Sequence, residues 1–171
     1  MRRRDREVTG MGDILEIMER CEVCRLALFD GEYPYIVPVN FGLCAEDGEI
    51  VLYVHGAKAG KKMELIAKNP KVGFEMDNAL GLDVNPELKE CSMNYESVVG
   101  TGVATVLEDV AEKTRALRAL MAHYHQEAFE FNLKAVPATA VLRIRVELSL
   151  IHIWNCWRPR KSSREAGFPP A

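Results

Sequence analysis

No apolar run in this 171-residue chain approaches the length of a membrane span, so no bilayer-crossing helix is read from it. Positive charge is not in excess. The 22 Lys and Arg stand against 25 Asp and Glu, and the formal net charge of −3 argues against a general nucleic-acid binder. The basic start Met1–Arg6 has no apolar segment behind it and does not read as a secretory signal. G-x-S-x-G, Walker and G-x-G-x-x-G motifs are all absent, which leaves hydrolase-elbow, P-loop and Rossmann readings without a carrier. Tryptophan occurs twice, at Trp154 and Trp157, both close to the C-terminus. Five cysteines are an odd number without a secretory context, so reduced thiols in a cytoplasmic protein are expected. Cys21-Glu22-Val23-Cys24 spells C-x-x-C, but Cys44 and Cys91 supply no second pair, and no metal site is expected. His123 and His125 are two apart on an expected helix and do not share a face.

What is present suits one globular domain with a real core: 48% of residues are hydrophobic and 27% charged. Asp13 with Glu16 reads as a capping box ahead of Ile14, Leu15, Ile17, Met18 and Cys21 at helical spacing. Val23–Phe29, Tyr35–Leu43, Glu49–His55, Lys71–Met76, Met93–Leu107 and Thr139–Glu147 read as strands. Pro38 inside the second of them demands a free or bulged side. Gly100 and Gly102 point to a bend or a bulge in the fifth. Asp77–Glu90, with Gly81, Asn85 and Pro86, reads as a loop. Asp109 with Glu112 starts a second long helix carrying Leu117, Leu120, Met121 and Tyr124. The expectation is a mainly β, α+β fold of six antiparallel strands, closer to a barrel than to a parallel sheet.

Tyr53-Val54-His55-Gly56-Ala57-Lys58-Ala59-Gly60-Lys61-Lys62 is the segment that carries chemistry. A strand ends on a histidine, a turn of small residues follows, and a helix opens on two lysines and stops at Asn69-Pro70. Backbone N–H groups at a helix start, the helix dipole and two ammonium groups can together hold a phosphate. A solvated β–α connection with surface lysines is the plain alternative.

Four blocks carry a family resemblance. They are Arg25-Leu26-Ala27, Pro34–Phe41, the Tyr53–Lys62 segment, and Tyr95-Glu96-Ser97-Val98-Val99-Gly100-Thr101-Gly102. In this order and spacing the chain, over about Met11 to Glu147, resembles the pyridoxamine 5′-phosphate oxidase-like FMN-binding split barrels, and within them the 5-nitroimidazole-resistance subgroup. The resemblance implies a six-stranded antiparallel split barrel with flanking helices. It implies a homodimer with FMN at the interface. Lys61 and Lys62 would hold the phosphate, Pro38, Val39 and Asn40 would line the flavin ring, and Tyr53 and Val54 would lie on the adjacent strand. Tyr95, Ser97 and Val98 would form a third wall, and His55 would donate a proton or anchor substrate. Val39, Val54 and Val98 also suit a plain core, and Tyr95 and Ser97 plain packing. The implied activity is transfer of electrons from NAD(P)H through FMN to a small acceptor, a nitroimidazole or another nitroaromatic. The alternative is a non-enzymatic flavin- or haem-binding split barrel, with His55 as the haem ligand. The C-terminal arginine motif of a true pyridoxamine 5′-phosphate oxidase is not found.

The chain divides into a basic arm over residues 1–10, a domain over 11–147 and a tail over 148–171 that leaves the family pattern. Leu148-Ser149-Leu150-Ile151-His152-Ile153 is also what a common transposase adapter end encodes in one frame. One reading makes the tail read-through; the other makes it a strand extension with a basic end. Intact mass of the protein from its native source separates the two.

Overall fold

The computed structural model describes residues 8–46, 48–124 and 130–155, with the backbone alone over 148–155. The expected basic arm and His125 lie largely or wholly outside the described residues, as does the tail from residue 156. The elements run α1 (Met11–Arg20), β1 (Cys24–Asp30), β2 (Tyr33–Val39), β3 (Phe41–Glu46), β4 (Glu49–Gly56), α2 (Lys61–Lys68), β5 (Lys71–Asn85), β6 (Glu90–Leu107), α3 (Val110–Tyr124), a 3-10 turn (Val136–Ala138) and β7 (Ala140–Asn155).

All strand pairs are antiparallel, and the sheet order is β2-β1-β5-β6-β7-β4-β3. The two edge strands, β2 and β3, are neighbours in the chain, joined by Asn40 alone. One residue bridges only a few ångströms. The sheet must therefore curl until its edges meet at Asn40, and from there they diverge. A barrel split along one seam is the direct result.

Seven strands replace the expected six because the run Tyr35–Leu43 is two strands. Its inward alternation never breaks: Tyr35, Val37 and Val39 pack on the same core as Phe41 and Leu43. Only the partner changes, from β1 (Cys24↔Val39) to β4 (Phe41↔Val54). Pro34 and Pro38 sit in β2, whose one partner among the described strands is β1. The missing N–H groups are tolerated at such an edge.

The loop expected over Asp77–Glu90 is instead a hairpin arm. The β5–β6 ladder continues from Asp77↔Ser97 to Asn85↔Glu90, with a register shift between Ala79 and Gly81. Gly81 takes φ +111°, a conformation that side chains resist, and absorbs the bulge. An irregularity does fall at Gly100, but the extra residues are on the partner strand β7 and not in the strand where the bend or bulge is expected. Between Thr101↔Glu147 and Val99↔His152, residues 148–151 of β7 stand against Gly100.

α1 begins at Met11 behind Gly10 and has no side-chain cap, so Asp13 lies inside the first turn and the expected capping box is not formed. Asp109 does cap α3: the Glu112 N–H donates to its Oδ1 at 2.9 Å. Inside the barrel Ile17 and Met18 of α1 meet Leu26, Phe41, Leu52, Phe74 and Ile144, all at most 2% exposed. Each such side chain contributes about 1.5–3 kcal/mol by leaving water. A second cluster lies outside, where α3 covers β4 and β7: Val51, Tyr53, Leu117 and Val141. α3 reaches the backbone of β3 at Gly42. A Cβ there would lie 2.7 Å from Leu120 Cα, so only glycine fits.

Candidate functional site

The seam beside Asn40 is where the motif residues gather. From the pair Phe41↔Val54, β2 runs away with β1, while β4 continues through His55 and Gly56 into α2. The start of α2 spans the mouth of this V. Lys61 forms an ion pair with Asp30 at the end of β1, and its Nζ lies 5.1 Å from the centre of the Tyr35 ring on β2. Neither Asp30 nor Tyr35 stands out in the sequence as a site residue. Asp30 reads there as half of a hairpin turn.

Lys62 is the more telling cation. It is half-buried, and burial pulls its pKa below the ordinary lysine value. Among the described residues no carboxylate pairs with it. Its Nζ would lie 3.1 Å from a Cβ placed on Gly56, so the absent side chain leaves room for the ammonium. The N-cap of α2 is Gly60, which makes no side-chain cap bond, and the first helical bond returns from the Glu64 N–H to Gly60 O. The N–H groups of residues 61–63 thus lack helical acceptors. Unmatched ammonium and uncapped N–H groups form a place for an anion of phosphate size. These residues fit the phosphate end of a flavin mononucleotide.

The other expected positions divide. Pro38 and Asn40 are exposed at the seam, Val39 is half-buried, and His55 is exposed at the end of β4. Tyr53 faces away. Its ring is buried under α3, and its hydroxyl donates to Glu46 Oε1 at 2.6 Å. Burial and that carboxylate push its pKa up. Val54 is wholly buried in the barrel. A ligand in the seam would meet these two positions through the backbone. Tyr95, Ser97 and Val98 belong to β6, the central strand, which two strands separate from β2 on one side and from β3 on the other. Val98 is fully buried, and Tyr95 and Ser97 are half-buried. One copy of the chain does not bring them to the lysines through the sheet.

Two polar clusters escape sequence reading because their members are far apart in the chain. Glu96, 3% exposed, accepts Arg20 Nε at 2.7 Å, Arg20 Nη2 at 2.8 Å and Asn78 Nδ2 at 3.2 Å. The guanidinium holds the Glu96 carboxyl below its usual range despite burial. Glu46 accepts Tyr53, Cys44 and Arg143, the last at 2.7 Å; the Tyr53 hydroxyl first, and Cys44 and Arg143 after it, hold its carboxyl below the usual range. The C-x-x-C thiols are buried, and burial pushes both Cys21 and Cys24 up to about 12. Among the described residues no group of His, Cys, Asp and Glu could hold a metal. Nor is any described helix long and apolar enough to cross a membrane.

Residues 11–149 match the family described as pyridoxamine 5′-phosphate oxidase. A candidate 5-nitroimidazole antibiotic resistance protein from Bacteroides thetaiotaomicron is 30% identical, with 82% of each chain covered and a TM-score of 0.71. An FAD- and haem-binding protein from Mycobacterium smegmatis shares the fold at 18% identity, covering 88% of this chain and 73% of that one, TM-score 0.66. An FAD-binding protein from Mesorhizobium loti does so at 22% identity, covering 81% and 91%, TM-score 0.54. No curated protein matches the sequence.

Proposed function

Because the chain belongs to the pyridoxamine 5′-phosphate oxidase family, we propose that it is an FMN-dependent oxidoreductase that passes electrons from NAD(P)H to a small acceptor. Nitroimidazoles and other nitroaromatics are the candidate acceptors, suggested by the Bacteroides relative. The observation that carries the flavin reading is Lys62, a half-buried ammonium that has no carboxylate partner among the described residues, beside the uncapped start of α2. Bound FMN would supply a two-electron carrier. The protein does the rest. Lys62, Lys61 and the N–H groups of α2 hold the phosphate. Pro38, Val39 and Asn40, with the backbone of Tyr53 and Val54, line the ring. His55, exposed at the lip, gives a proton to the reduced acceptor.

This reading carries a homodimer with it. Tyr95, Ser97 and Val98 can complete the wall only from a second copy if they touch the flavin. The exposed apolar side chains Phe29, Ile36, Leu82, Val84, Met93 and Val99 suit contact with that copy. The protein acts in the cytoplasm on this view.

The test is FMN titration, followed by visible spectroscopy and mass identification of any chromophore purified with the protein. Lys61→Ala with Lys62→Ala should remove most of the binding. At FMN a hundred times its Kd, binding should stabilise the native chain by ~2.7 kcal/mol, and the double variant should lose that gain. An unchanged gain would sink the phosphate assignment. The second reading is a flavin or haem carrier without turnover, favoured by the exposed imidazole of His55. A Soret band lost in His55→Ala supports it; NAD(P)H oxidation stimulated by nitro compounds counts against it.

A further inference from the structure

The end of α3 grips the seam at its vertex. The Phe41 N–H donates to Tyr124 Oη at 3.2 Å, and the Tyr124 hydroxyl donates to Glu22 O at 2.7 Å. The two partners belong to opposite lips. Glu22 leads into β1, which carries β2; Phe41 opens β3, which pairs with β4. One phenol therefore links both sides at the point where the barrel divides.

Its neighbours reinforce the link. The His123 ring lies 4.3 Å from that of Phe41, tilted by 44°, and its Nε2 is 2.9 Å from Cys21 O. One turn earlier, the backbone of Leu120 lies against Gly42 with no room for a side chain. Phe41 and Gly42 are thus fixed to α3 by a hydrogen bond, a ring contact and direct backbone packing. Asn40, the next residue back, is exposed and forms the joint itself.

We propose that Tyr124 is a positioning residue whose hydroxyl sets the width of the flavin cleft by pinning its two lips together. This rests on the flavin reading above for the ligand, but not for the pin. Without the hydroxyl, the Phe41 N–H and Glu22 O lose their shared partner, and β2 and β4 can open wider from the joint at Asn40. The ring-lining backbone then no longer keeps a fixed distance from Lys61 and Lys62.

The test compares the full-length protein with Tyr124→Phe, using FMN fluorescence quenching for affinity and amide hydrogen exchange for the Phe41 N–H. The variant should bind FMN about tenfold more weakly, a difference of ~1.4 kcal/mol. Its Phe41 amide should exchange faster. Glu46→Gln, which loosens the far end of β3, should leave FMN affinity unchanged and so separates a pin from general weakening. Should Tyr124→Phe fail to fold, His123→Phe keeps the ring contact and loses only the Cys21 O bond, and it should show a smaller loss of affinity. Wild-type affinity in a folded Tyr124→Phe, or an equal loss in Glu46→Gln, overturns the proposal. If the wild-type protein ignores FMN, the flavin reading fails. The exchange measurement then decides alone, and an unchanged Phe41 amide rate overturns the pin.

Discussion

Replacing Arg20 with Met should cost the fold about 2–3 kcal/mol. The Glu96 side chain is 4% exposed, whereas Arg20 is 48% exposed, so the carboxylate is the partner that would be stranded. Two charge-assisted bonds disappear, and among the described residues only Asn78 remains. Breaking a buried pair from one side costs about 3–5 kcal/mol. Water already reaches the guanidinium, which screens the pair and brings the figure toward the lower bound. With a urea slope of about 2 kcal/mol per molar, the unfolding midpoint should fall by roughly 1–1.5 M. The pH dependence should change sign as well. In the wild type the Glu96 pKa is depressed, so its stabilisation is full above the unfolded value near ~4.3 and fades as pH falls through the folded value. In Arg20→Met, burial acts with only Asn78 to oppose it and raises the Glu96 pKa. Stability should then decline as pH rises through that raised value. Adding Glu96→Gln should recover part of the loss. A midpoint shift under about 0.3 M, or an unchanged acid limb, would refute the reasoning.

Three other outcomes follow from the same packing and charge. FMN affinity should fall as pH climbs through the lowered pKa of Lys62, because the bound phosphate favours the ammonium; titrations across the alkaline range should show no such fall in Lys62→Met, and identical profiles would count against the assignment. Gly42→Ala should lower the melting temperature by roughly 5–10 °C, since the new Cβ meets helix backbone that cannot swing aside; calorimetry checks it, and a shift below about 2 °C would mean that α3 yields. Cys21 and Cys24 should resist a maleimide at neutral pH while exposed Cys91 reacts, as peptide mass mapping will reveal; early labelling of either buried thiol would contradict the packing.

Much of the fold is legible in the sequence because strand alternation is local. What escapes is pairing. The run through Asn40 keeps one inward face from Tyr35 to Leu43, so nothing local marks the exchange of β1 for β4. The arm misreads as a loop because Gly81, Asn85 and Pro86 are turn residues, yet one serves a bulge and the other two lie at the tip. At the site, Lys61 and Lys62 stand out because a helix start is a local signal. Tyr53 does not reveal which way it faces, since β4 is buried on both sides and its apolar run has no alternation to read. Asp30, Tyr35 and Tyr124 reach the seam only through tertiary packing.

The single-residue joint at Asn40 has a further consequence for how this chain can vary. A hairpin loop absorbs an added residue by bulging outward, and its strands keep their register. Here the link is also the seam, and the strands on its two sides are registered against different partners. One inserted or deleted residue would turn every side chain of β2 or of β3 to the opposite face, placing Val37 and Val39, or Phe41, in water. Asn40 can therefore be exchanged for other residues, but its position cannot be lengthened or lost. In a library of random insertions and deletions this joint should be among the least tolerant exposed sites in the molecule.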